Sequence, residues 1–320
     1  MSSSSESRFH EAWLGMVQQE GLVVSVPVLT AAELMHQRGA AAQRAYRAQL
    51  LPPPDVDAPP KDAAVSDEDD DDERASQRVR LQLPGLDALL ALLEFSAGDI
   101  DRGPTLPSEL HVVAADAATS AMVRPSAALR RQPRATASPK VDDPFSQDDD
   151  PFFDGPEDPA PSEPEPASTP EPASTDPELS KAALAGREYL ALIWDLADPD
   201  AGFGPAAIGR SFDRPDKDSD WNYPPTAKFE RLLRHARVPI GLLTNRTRVR
   251  LIYAPHGETS GSLTFDLTDM AEVGGRPMLD AFLALLGRDR WLTQAEDRRL
   301  PALLEASRKQ QAEVTERLAD

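Results

Sequence analysis

Between residues 141 and 178 the chain holds thirteen carboxylates, ten prolines and no basic side chain. Few aliphatic residues accompany them, and PEPAST at 164–169 is nearly repeated as EPAST at 171–175. Ordering a residue costs about 1–2 kcal/mol of chain entropy, and this composition buries too little apolar area to offset it. The stretch therefore reads as a disordered, extended spacer. A second run, DEDDDDE at 67–73, adds seven acids without a base. Any fold must be assembled from segments lying on either side of these two runs.

The runs also explain the charge. They carry twenty acids, as many as the net charge of −20, so that 34 acids and 34 bases are left for the remainder. The acidity belongs to the spacers, and it is no argument against a nucleic-acid partner for the folded part. The absence of cysteine excludes a disulfide framework, a thiol nucleophile and cysteine-based zinc or iron–sulfur sites. No apolar run approaches the roughly 20 residues that span a bilayer. The start, Met1 to Glu6, has neither a basic nor an apolar region of the secretory kind. These features predict a cytoplasmic protein without membrane contact.

Five segments follow. In 8–50, Phe9, Trp13, Met16 and Val17 recur at helical spacing and Gly21 stops the helix. Leu22 to Val26 then reads as a strand closed by Pro27, and Thr30 with Glu33 as a capping box opening a helix over 31–50. Residues 51–84 are the first acidic, proline-rich linker. Residues 85–123 hold a leucine-rich helix at 85–96 and a strand at 109–114. Residues 124–179 form the long disordered linker.

The last segment, 180–320, is the richest. Glu188 to Asp195 is an almost continuous apolar run, as in a strand buried on both faces. A polar loop over 198–222 leads to a helix at 225–237 entered through Pro224 and Pro225. Residues 238–253 read as a β-hairpin turning at Thr244-Asn245-Arg246, and 262–267 as a third strand. Helices follow at 277–287 and from Thr293, the latter restarting at Pro301. That last helix stops in mid-pattern without a cap, which suggests the N-terminal piece of something longer.

Residues 228–250 carry Lys228, Arg231, Arg234, Arg237, Arg246, Arg248 and Arg250 against Glu230 alone. Lys228, Arg231 and Arg234 share a helix face, and Arg246, Arg248 and Arg250 alternate along a strand. Such a surface suits phosphate contacts driven by counterion release. The alternative is that these arginines solvate the outside of the hairpin and pair with nearby acids. Gly202-Phe-Gly204 precedes Pro205 in a polar loop and makes a poor cofactor turn. Asn222-Tyr-Pro-Pro225 has the composition of an adenine-holding motif in the wrong order. His256 and Glu258 read as part of a connecting turn.

The block 228–269, with Gly275 to Leu279 and Arg299 to Gln310, resembles the N-terminal region of large adenine-specific DNA methyltransferases. These are of the type IIG restriction–modification kind, including those of DISARM-type phage-defence islands. Glu11 to Pro27 looks like the start of that group. The resemblance implies a module that precedes the methyltransferase domain and is similar in fold to PD-(D/E)XK nucleases. In that group a helix, a strand ending in a Thr-Asn-Gly turn and a strand with an Arg-Leu pattern follow one another. Here Arg246 stands where the family usually places Gly, so either Asn245 supplies the left-handed turn residue or the turn is longer.

A nuclease site of that kind needs a carboxylate on one strand and an acid-x-Lys pair on the next, holding a divalent metal. No Glu-x-Lys lies on a plausible strand of 180–260; Glu188 and Asp195 are the best acids if such activity survives. S-adenosylmethionine is the cofactor of the parent family, and this chain shows neither its glycine-rich turn nor a motif for a flipped adenine. The sequence reading is thus an α+β fold: a small mixed or antiparallel sheet with flanking helices, of degenerate nuclease-like kind, interrupted by a long disordered acidic insert. In function it is a non-methylating module, without a cofactor or metal of its own, that engages DNA or other subunits of a defence system. A metal-dependent nuclease and a non-enzymatic scaffold with an acidic tail are the rival readings.

Overall fold

The computed structural model describes residues 3–34, 40–50, 83, 85–113, 122–134, 177–198, 208–215 and 221–319. Both acidic runs, apart from the last residues before Ser180, and Gly202-Phe-Gly204 lie outside these residues. The chain begins with α1 (Ser3–Leu14), β1 (Gln18–Glu20), α2 (Val26–Ala31) and α3 (Ala40–Leu50). Then come α4 (Leu86–Leu92), β2 (Ile100–Arg102), β3 (Val112–Val113), β4 (Met122–Val123) and β5 (Ala127–Arg130). The longer C-terminal part supplies α5 (Pro177–Gly186), β6 (Tyr189–Asp195), α6 (Pro225–Ala236), β7 (Ile240–Thr244), β8 (Arg248–Tyr253) and β9 (Gly261–Asp266). It closes with α7 (Leu267–Ala271), α8 (Arg276–Leu286), α9 (Arg288–Leu292) and α10 (Leu300–Ala319).

Seven strands form one mixed sheet in the order β1-β9-β8-β7-β6-β5-β2, and β3 pairs with β4 in a separate ribbon. The sheet is antiparallel except between β6 and β7. A parallel pair needs a crossover, and α6 provides it. Alternate residues of β6 serve two cores. Leu190 and Ile193 face a layer built from the N-terminal helices, α8 and α10. Tyr189, Leu192 and Trp194 face α6 and the β3–β4 ribbon. Both faces being covered is why this run is apolar throughout. Gly186 ends α5 against the end of α6: a Cβ there would lie 1.8 Å from the Ala236 carbonyl oxygen, so only glycine permits that approach.

The α+β class and the hairpin with its companion helix agree with the sequence reading. Three local expectations are corrected. The N-terminal strand is Gln18–Glu20, paired with β9, and not residues 22–26. Val23 and Val24 are instead buried core residues, and Pro27 sits in the first turn of α2, where a missing N–H costs nothing. Thr30 is no cap: its hydroxyl donates to the Val26 carbonyl inside α2. The helix expected over 31–50 is two helices, and Glu33 between them takes a left-handed φ of 51°.

The expected linker over 124–179 is the third correction. Ala127–Arg130 is an interior strand between β6 and β2, and Pro177–Gly186 is helical. Composition over a long window hides a four-residue strand whose alanines are small enough to vanish completely beneath the covering layers. Among the described residues no helix is long and apolar enough to cross a membrane.

Candidate binding cleft

Strands β6 and β7 run in the same direction and end together at Asp195 and Thr244. Antiparallel β5 and β8 begin at that same edge, and β2 ends there at Arg102. A cleft of about 650 Å³ opens over these strand ends. Ser126, Asp195, Arg246, Arg124 and Leu106 line it, together with the start of α4. Arg102 and Asp87 form an ion pair at the mouth.

Asp195 is 1 % exposed. Its Oδ1 accepts the Ala197 amide at 3.0 Å and its Oδ2 accepts Arg246 Nε at 3.1 Å. Burial pushes its carboxyl pKa up, against the opposing pull of that amide and guanidinium. Ser126 Oγ accepts the Asp195 amide at 3.1 Å, which ties the start of β5 to the end of β6. Arg124 is half-buried and has no ion-pair or hydrogen-bond partner among the described residues.

The turn after β7 departs from expectation in one respect. Arg246 itself, at φ 68°, takes the left-handed conformation. Asn245 instead organises the turn through its side chain. Its Oδ1 accepts the amides of Thr247 and Arg248 at 3.1 and 2.7 Å, while its Nδ2 donates to the Arg210 carbonyl at 2.7 Å. Arg246 is held in place by Asp195 and by donating its amide to Thr244 Oγ1 at 3.0 Å.

The basic residues singled out in the sequence separate into three groups. Arg250 is 1 % exposed beneath α6, bonded to Asp213, Thr226 and Thr264, and its guanidinium lies 5.0 Å from the Phe212 ring centre. Lys228 is equally buried, 5.7 Å from the Trp221 ring centre; burial, then the charge of Arg210, lowers its ammonium pKa to about 8. Arg246 points into the cleft, and Arg248 pairs with Asp266 at 3.0 Å. Arg231 and Arg234 remain on α6, and Arg237 follows its C-terminal end. Arg231 stacks over Trp221 at 5.5 Å, and Arg234 meets Glu230 at 3.4 Å.

Glu188 and Asp195 bracket β6 from opposite ends, on the order of 20 Å apart at the usual strand rise. Glu188 is exposed, beside Arg130 at 3.4 Å, and cannot share a metal ion with Asp195. Among the described residues no three His, Asp or Glu side chains gather as a metal set. Arg102, Arg124 and Ser126 were not singled out in the sequence. Their only signal there is a short apolar run, Ala127 to Leu129, directly after Arg124-Pro125-Ser126. No family model, curated protein or solved structure matches this chain.

Proposed function

We propose that the chain is an N-terminal, non-methylating module of an adenine-specific DNA methyltransferase of a restriction or phage-defence system, acting in the cytoplasm. It engages the DNA backbone or partner subunits. The observation that carries this reading is the succession α6, β7, left-handed turn, β8 over residues 225–253. That is the order of the resembling region, with the turn's left-handed residue at the position where that group usually has glycine. S-adenosylmethionine belongs, on this reading, to the methyltransferase portion and not to this chain.

The surface for DNA is the outer side of α6, with Arg231 and Arg234 on the helix and Arg237 directly after its end. Duplex binding by the full chain should weaken steeply with salt, and charge reversal at these three positions should abolish it. Absence of duplex binding at low salt would move the reading to a protein-binding scaffold.

A metal-dependent nuclease is the second reading, favoured by the position of buried Asp195 over the strand ends. Ala197 stands two residues on, where an acid-x-Lys pair would place lysine. Supercoiled plasmid with magnesium or manganese tests it. Nicking that disappears in Asp195→Ala would replace the first reading.

A further inference from the structure

We propose that the cleft over the ends of β6 and β7 binds one nucleoside 5′-phosphate unit, with its phosphate on Arg124. The size of the cleft and the groups that line it lead there. The volume, about 650 Å³, lies within the range of small-molecule sites. Arg124 is half-buried and has no partner among the described residues, whereas the other two arginines of the cleft are neutralised, Arg102 by Asp87 and Arg246 by Asp195. A planar guanidinium with five donors and no acceptor is matched by phosphate, which it can grip through two parallel hydrogen bonds.

The rest of the lining tells what the phosphate is attached to. Asp198, half-buried, lines the same cavity, and a carboxylate accepts hydrogen bonds from N–H or O–H groups. A simple anion would be repelled by it. A ligand with an anionic end and a donor-bearing body satisfies both sides. Leu106 offers an apolar face for a ring between them. Gly103, at φ 53°, has open space where a Cβ would stand, so the backbone at that edge leaves room for the ligand. An anionic end, a ring and hydrogen-bond donors are together the chemistry of a nucleotide.

Such a unit can come from two sources: a free nucleotide, or the 5′-phosphorylated end of a strand. The site is distinct from the outer side of α6, so this inference does not rest on the duplex-binding reading. Its failure would leave that reading intact.

The test is calorimetric titration of the full chain with nucleoside 5′-monophosphates, and with a short oligonucleotide carrying either a 5′-phosphate or a 5′-hydroxyl. Saturable binding of the mononucleotides is expected if the source is free nucleotide. Preference for the phosphorylated oligonucleotide over its hydroxyl form is expected if the source is a strand end. In either arm Arg124→Ala should weaken binding at least about tenfold, the loss of one charge-assisted contact. Its urea midpoint should be unchanged, because no partner is lost, so a folding defect is not confused with lost binding. The proposal is overturned if neither arm gives saturable binding at millimolar ligand, or if Arg124→Ala binds as the wild type does.

Discussion

Arg246 Nε and Asp195 Oδ2 stand 3.1 Å apart and join the turn after β7 to the end of β6. The pair stabilises two unfavourable things at once: a carboxylate that is 1 % exposed and a non-glycine residue at φ 68°. Arg246→Ala keeps the left-handed backbone and strands the buried carboxylate, at a cost of about 3 kcal/mol. Arg246→Gly strands the same carboxylate but removes the backbone penalty, so it should be the milder variant by roughly 1 kcal/mol. Adding Asp195→Asn should recover part of the loss in both. Urea unfolding of the four variants checks the order, and an alanine variant as stable as wild type would show that the pair contributes nothing.

The second left-handed arginine behaves differently. Arg237 follows α6 at φ 56°, its amide donating to the Arg234 carbonyl at 3.3 Å, while the Val238 amide donates to that of Leu233 at 3.0 Å. This is the helix ending that usually carries glycine. The side chain is exposed. Arg237→Gly should therefore stabilise the protein by roughly 1 kcal/mol, read as a raised thermal midpoint. On the proposed function the same change should weaken duplex binding slightly and lower its salt slope by about one.

Arg250 separates structural arginines from binding ones. Its Nε donates to Thr264 Oγ1 at 2.8 Å, and its terminal nitrogens reach Thr226 Oγ1 at 2.9 Å and Asp213 Oδ2 at 2.9 Å. Arg250→Ala removes a buried, fully bonded cation beneath α6 and should cost about 3–5 kcal/mol. Arg231→Glu, on the outer side of the same helix, should alter stability by less than about 1 kcal/mol while reducing duplex affinity. Circular dichroism and binding measured on both variants check this. Intact folding in Arg250→Ala would return that residue to the candidate DNA surface.

His10 makes stability depend on pH. It is wholly buried on α1, its Nδ1 accepts Trp13 Nε1 at 3.1 Å, and its Nε2 has no partner among the described residues. Burial lowers its pKa to about 4 from an ordinary 6.5. The unfolded chain therefore binds a proton first as pH falls. The contribution of His10 is full above pH 6.5 and is lost progressively between about 6.5 and 4, by on the order of 3 kcal/mol. His10→Gln keeps an acceptor for Trp13 and cannot titrate, so its denaturation midpoint should fall less steeply over this window. Equal slopes in the two proteins would remove His10 as the cause.

The elements that were legible in the sequence are those whose pattern is local. The apolar run of β6 announced a strand covered on both faces, and the spacing of Phe229, Leu232 and Leu233 announced α6. The hairpin of β7 and β8 showed through two apolar-rich runs on either side of the Thr244-Asn245-Arg246 turn. All three need only residues within a few positions of one another to agree. The strand Ala127–Arg130 escaped because four residues, two of them alanine, carry no periodicity of their own. Gln18–Glu20 escaped because its three residues are exposed and polar, and only pairing with β9 makes them a strand.

The sequence by itself determined where charge could accumulate, which segments could bury a core, and that the arginines of 228–250 would lie on one helix and one hairpin. Only the tertiary structure decided what each arginine does. Asp195 is 51 positions from Arg246 and Asp213 is 37 from Arg250. Spacing along the chain says nothing about such pairs, because the energy of an ion pair depends on distance in space and on how much water is excluded around it. The same holds for the cleft, whose walls come from strand ends scattered across the chain and meet only when the sheet is assembled.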